Sequence, residues 1–195
     1  MNEKAGLMAL VVYESFFGNT ENIARAVARG LELGGMAVTV VDAEKADSGE
    51  LDGVDLLVVG GPTHAFALSR PTSRDDAVAR GGTARYASRG LREWLSVLPI
   101  RPGTHLAAAF DTRVKRVRHL PASAAASAGR LLRRRDFTLV DKPTGFIVQD
   151  ITGPLEAHET ERAVRWGSSL AQVAQTRIAA EQSSSPASGS ERPTA

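Results

Sequence analysis

Apolar residues recur along this chain in two rhythms. Leu7-Met8-Ala9-Leu10-Val11-Val12-Tyr13 is a continuous apolar run of strand formers, the mark of a strand covered on both faces in a parallel sheet. From Asn19 to Leu33 the rhythm changes: Ile23, Val27 and Leu31 fall at four-residue steps, Arg25 and Arg29 lie between them, and Gly34-Gly35 follow. That spacing predicts an amphipathic helix with a glycine stop. Short apolar runs at Met36 to Val41, Asp55 to Val59 and Leu106 to Phe110 predict three further strands. Phe137 to Val140 and Phe146 to Val148 read as two halves of a last strand, interrupted near Lys142-Pro143-Thr144-Gly145.

Helical patterns separate most of these runs. Leu91, Trp94, Leu95 and Leu98 mark one helix, Ser123 to Arg135 another, and Leu155 to Ile178 a closing one that turns Val164, Leu170 and Val173 inward. Strands alternating with helices predict right-handed βαβ units: an α/β, doubly wound, five-stranded parallel sheet with helices on both faces. Ligands of such sheets sit beyond the carboxyl ends of the strands, so the loops after strands one, three and four matter most. Residues 1–178 form the expected domain. The run Ser183-Ser184-Ser185-Pro186-Ala187-Ser188-Gly189-Ser190 buries too little apolar surface to offset its ordering entropy, so 179–195 is expected to be a disordered tail.

Composition narrows the chemistry. With 195 residues and 43 % apolar content the chain suits one ordinary globular domain. There is no cysteine, which removes disulfides, thiolate nucleophiles and Cys-based metal sites, and no metal site is expected. No apolar run is long enough to cross a bilayer, and the protein reads as cytoplasmic. The net charge is only +2, but eight basic residues lie between Arg113 and Arg135 with no acidic residue among them: Arg113, Lys115, Arg116, Arg118, Arg130, Arg133, Arg134 and Arg135. No aromatic residue interleaves them, which argues against nucleic acid as the partner.

The loop after the first strand, Glu14-Ser15-Phe16-Phe17-Gly18-Asn19-Thr20, opens directly onto a helix. A helix start offers free N–H groups and partial positive charge, Ser15, Asn19 and Thr20 add polar side chains, and Gly18 lets the backbone approach closely. This is a cradle for phosphate. It lacks the lysine of a Walker loop and the G-x-G-x-x-G of a dinucleotide fold, which argues against nucleoside triphosphates. The third strand runs into Gly60-Gly61-Pro62-Thr63-His64-Ala65-Phe66 at the same sheet edge.

Together these loops resemble the flavodoxin family, whose phosphate loop has the form Ser/Thr-x-Thr-Gly-x-Thr and whose third strand ends in a Gly-Pro-Thr-like turn. Ser15, Gly18 and Thr20 match the first pattern, and Gly61, Pro62 and Thr63 the second. The resemblance implies strand order 2-1-3-4-5 and FMN as cofactor. It assigns Ser15, Phe16, Phe17, Gly18, Asn19 and Thr20 to the phosphate, and Pro62, Thr63, His64, Ala65 and Phe66 to one side of the flavin. A loop at Asp111, Thr112 and Arg113 would line the other side. Phe17 stands where the family has Thr, removing one hydroxyl, and no glycine occurs between Pro62 and Arg80 to turn a peptide beside the flavin. His64, whose charge switches near neutral pH, is the candidate proton donor.

The expected function is therefore FMN-dependent electron transfer. The alternatives are an NAD(P)H-dependent, quinone reductase-like oxidoreductase and a flavodoxin-shaped interaction domain without cofactor. The basic stretch from Arg113 to Arg135 would receive an acidic redox partner or the phosphates of NAD(P)H. The long polar connection from Ser69 through Gly82 is expected either to cover the site or to be a surface loop in which Arg70 and Arg74 pair with Asp75 and Asp76.

Overall fold

A computed structural model describes residues 6–184, apart from 87, 101–104, 118, 120 and 121. The elements in chain order are β1 (Met8–Tyr13), α1 (Asn19–Leu33), β2 (Ala37–Asp42), β3 (Leu56–Pro62), α2 (Pro71–Ala79), α3 (Leu91–Val97), β4 (His105–Val114), α4 (Ala124–Arg133), β5 (Phe137–Leu139), β6 (Thr144–Val148) and α5 (Glu159–Ser184). Every strand pair is parallel and the order is β2-β1-β3-β4-β5. β6 also pairs with β4, further along it, so β5 and β6 share the fifth position as the two halves of the interrupted strand.

Alternation along β1 divides the core. Ala9, Val11 and Tyr13 face a cluster with α1 and α5, while Leu10 and Val12 face a second cluster with α3 and α4. Both faces are thus apolar, which is why the strand reads as an unbroken run. α1 and α5 touch backbone to backbone: a Cβ on Gly30 would lie 2.1 Å from the Val164 carbonyl oxygen, and one on Gly167 would lie 2.3 Å from that of Val27. The Ser168 hydroxyl donates to the Gly30 carbonyl across this contact, at 3.0 Å.

Three expectations change. β4 continues through Asp111, Thr112 and Arg113, which were expected in a loop, because β6 pairs with Phe110 to Val114 and supplies the ladder that keeps them extended. The polar connection contains α2, which starts at Pro71, a residue suited to a first helical position. Arg74 does not pair with Asp75 or Asp76; it is buried and donates to both oxygens of Glu93, at 2.7 and 3.1 Å. Finally, α5 runs to Ser184, so residues 179–184 are helical, and 185–195 lie outside the described residues.

Candidate functional site

At the carboxyl edge of the sheet, β1, β3 and β4 deliver their loops to one cavity of about 370 Å³, within the range of small-molecule sites. It is lined by every predicted site residue except Gly18 and Asp111. Gly18 is the N-cap of α1 and works through its backbone, at φ +83°, a left-handed turn that brings the next N–H groups round to the loop. Asp111 is fully buried behind the cavity, where it accepts from the Ala125 N–H at 2.9 Å and holds Arg113 through two bonds of 2.6 and 2.7 Å.

The first loop is polar inward and underused by the protein. The Ser15 hydroxyl is buried without a hydrogen-bond partner. Among the described residues, the N–H groups of Phe16, Phe17, Gly18, Asn19 and Thr20 donate to no protein acceptor, as expected where α1 has no preceding turn to receive them. The Thr20 hydroxyl lies 2.8 Å from that of Thr112, joining the first loop to β4. The Asn19 side chain donates to the Thr152 carbonyl at 3.0 Å, so the segment before α5 closes over the start of α1.

The second loop is a tight hairpin. His64 N–H donates to the Ala67 carbonyl at 2.9 Å and Ala67 N–H returns to that of His64 at 3.0 Å. The two residues between them, Ala65 and Phe66, both have positive φ, 44° and 64°. Such turns favour Asn and Gly, and non-glycine residues there cost roughly 1–3 kcal/mol each, a strain characteristic of functional sites. Phe66 is thereby held 49 % exposed at the cavity. Thr63 turns its hydroxyl to the Ala124 N–H, 2.9 Å away, and so ties α4 to this edge as well as lining the cavity.

His64 stands edge-on to Phe16 with ring centroids 5.2 Å apart. Burial lowers its pKa from the usual value, and the carboxylate of Asp76 partly opposes that. Asp76 belongs to α2, which also brings Ser73, Ala77 and Arg80 to the cavity. Sequence periodicity misses α2 because the helix has almost no apolar face: only Arg74 and Ala77 are buried. Pro71 after Arg70 is the available signal.

The expected basic face is divided. Arg113 is paired with Asp111, Lys115 with Glu156 at 2.9 Å, and Arg118 lies outside the described residues. α4 begins beside Thr63 and runs back along the sheet, which carries Arg133, Arg134 and Arg135 roughly 15 Å from the cavity edge. Arg116, with Arg80 from α2, lines the cavity, and neither has a carboxylate partner among the described residues.

The flavodoxin family model matches residues 11–69, the stretch that carries both loops. The chain has a flavodoxin-like fold. Its segment of 57 residues is 44 % identical to a diflavin flavoprotein, A 5, of a Nostoc species, covering 27 % of this chain and 10 % of that one. The chain thus spans about a tenth of the length of the curated relatives it matches. An archaeal flavodoxin shares the fold with a TM-score of 0.61 at 19 % identity, covering 87 % of this chain and 99 % of that one. A flavodiiron core from Synechocystis gives 0.58 at 17 % identity over 90 % of this chain and 38 % of the other.

The cavity fits FMN, the cofactor that the flavodoxin resemblance implies. At the start of α1 it has an orphaned buried hydroxyl and five N–H groups without a protein acceptor among the described residues, and a wider space bounded by Phe66, His64 and Pro62. Among the described residues no group of side chains could hold a metal ion, and no helix is long and apolar enough to cross a membrane.

Proposed function

We propose that this chain holds FMN in the cavity and passes electrons through it between redox partners. The observation that carries the reading is the unsatisfied donor set at Ser15 to Thr20. A buried hydroxyl without a partner is costly, and a phosphate at the helix start would satisfy Ser15 together with the free N–H groups that follow it. FMN when bound supplies the one- or two-electron chemistry, while the protein supplies binding, orientation and field. The Ser15 and Thr20 hydroxyls and the N–H groups from Phe16 to Thr20 would bind the phosphate. Pro62 to Phe66 would bound one side of the flavin, with Thr112 and Arg113 on the other.

His64, neutral at neutral pH by burial, would offer a hydrogen bond beside the ring and not a charge. The test is Thr20→Val, which keeps the shape and deletes the hydroxyl shared with Thr112. FMN affinity is expected to fall about tenfold with the fold retained, the weight of one hydrogen bond to a charged group. Unchanged affinity would refute the assignment.

A second reading, an NAD(P)H-dependent oxidoreductase, is favoured by one observation: Arg80 and Arg116 line the cavity without carboxylate partners, as sites for an anionic donor or an acidic partner protein would require. Oxidation of NADPH or NADH by the FMN-loaded protein alone, lost in Arg80→Ala and Arg116→Ala together, would establish it. A rate equal to that of free FMN would leave the protein a carrier.

A further inference from the structure

The segment between α2 and α3 reaches beneath the phosphate loop. Tyr86 there has no exposed surface, although it comes from a stretch that is polar in sequence. Its hydroxyl donates to Oδ2 of Asp42 at 2.8 Å and accepts from the N–H of Ser15 at 3.1 Å. Its ring meets that of Phe16 edge-on with centroids 5.2 Å apart. Three residues earlier the Thr83 N–H donates to the Phe16 carbonyl at 3.0 Å. Asp42, at the end of β2, also accepts from Arg85 at 2.7 Å and from the Glu44 N–H at 3.0 Å.

We infer that Tyr86 is a positioning residue for the phosphate loop, and that its hydroxyl, fixed between Asp42 and the Ser15 N–H, gives the site its preference for phosphorylated flavin. The reading rests on FMN as the ligand and adds to it the residue that shapes the anion shell. A phenol has one proton. With that proton given to Asp42, the oxygen must present a lone pair to Ser15, so the Ser15 N–H is turned inward to the protein. Its hydroxyl and the N–H groups from Phe16 onward are then left for the ligand. The same bond, with Arg85, compensates the Asp42 carboxylate, which would otherwise oppose a phosphate at this loop. Burial raises the Tyr86 pKa, so the proton stays in place.

Tyr86→Phe tests this, because it keeps the ring against Phe16 and removes only the oxygen. Dissociation constants for FMN and riboflavin are measured by flavin fluorescence on wild type and variant, with circular dichroism as the fold check. The expected result is a ratio of riboflavin to FMN dissociation constants about tenfold smaller in the variant, with riboflavin affinity unchanged. A brace that serves stability alone would weaken both flavins equally, and that outcome, an unchanged ratio, or a larger one overturns the inference. Should Tyr86→Phe fail to fold, Arg85→Ala, at a half-exposed side chain, must shift the ratio in the same direction or the inference fails. A wild type that prefers neither flavin overturns the FMN reading itself, and this inference with it. A wild type that prefers FMN upholds that reading, and the change in ratio then bears on Tyr86 alone.

Discussion

Gly18 carries the chain from β1 into α1 at a φ of +83°, with nothing within 4 Å of where a Cβ would sit. Any side chain there is therefore penalised by the backbone alone. Gly18→Val is expected to cost roughly 1–3 kcal/mol, since a β-branched residue resists the left-handed region. It should also turn the neighbouring N–H groups out of the anion shell. Thermal unfolding and FMN affinity measured on one preparation would show both losses. His64 makes a second prediction. Burial disfavours its imidazolium, so the unfolded chain takes up the proton first. The stability it contributes is complete above the ordinary value of 6.5 and is lost as pH falls through its lower folded value. An NMR titration should give His64 a midpoint below 6.5, and His64→Gln should flatten the acid side of the stability profile. These residues were legible in the sequence because strand, turn and helix follow one another without a gap. Tyr86 was not, since nothing local marks an aromatic that reaches a loop 71 positions away.

Between elements, the closest approach is that of α1 to α5, which Gly30 and Gly167 permit by having no side chains where the backbones meet. Gly167→Val must push the helices apart and should destabilise the fold by roughly 1–3 kcal/mol or more, read as a lower denaturant midpoint with an unchanged slope. α2 is held differently, by the buried Arg74 on the half-buried Glu93. Arg74→Ala leaves that carboxylate and the Ser69 and Gly90 surroundings without their cation, so amide exchange in α2 should accelerate while β1 and β3 stay protected. Legibility followed periodicity here. α1 announced itself through Ile23, Val27 and Leu31, whereas α2 buries an arginine and an alanine and has no stripe to read. The reach of β4 to Val114 depended on β6, more than thirty residues later, and no local pattern carries such a pairing.

For the molecule as a whole, the run of apolar and amphipathic segments was enough for the parallel α/β sheet, because each segment's rhythm states which of its faces is covered. The strand order came from resemblance in two loops and agrees with the pairing observed. Charge was the least legible property. Eight basic residues close in sequence are dispersed by the antiparallel run of α4, by the Asp111–Arg113 pair and by the Lys115–Glu156 pair, leaving Arg116 at the cavity without a carboxylate partner among the described residues, joined there by Arg80 from outside the stretch. The proposed FMN site is built on the Ser15 to Thr20 donors. Calorimetric titration of the folded, flavin-free protein with FMN tests it most directly. Saturation at one FMN per chain is expected, with competition by inorganic phosphate and weaker binding of riboflavin. Folded protein that takes up no FMN, or that binds riboflavin equally well, would contradict it.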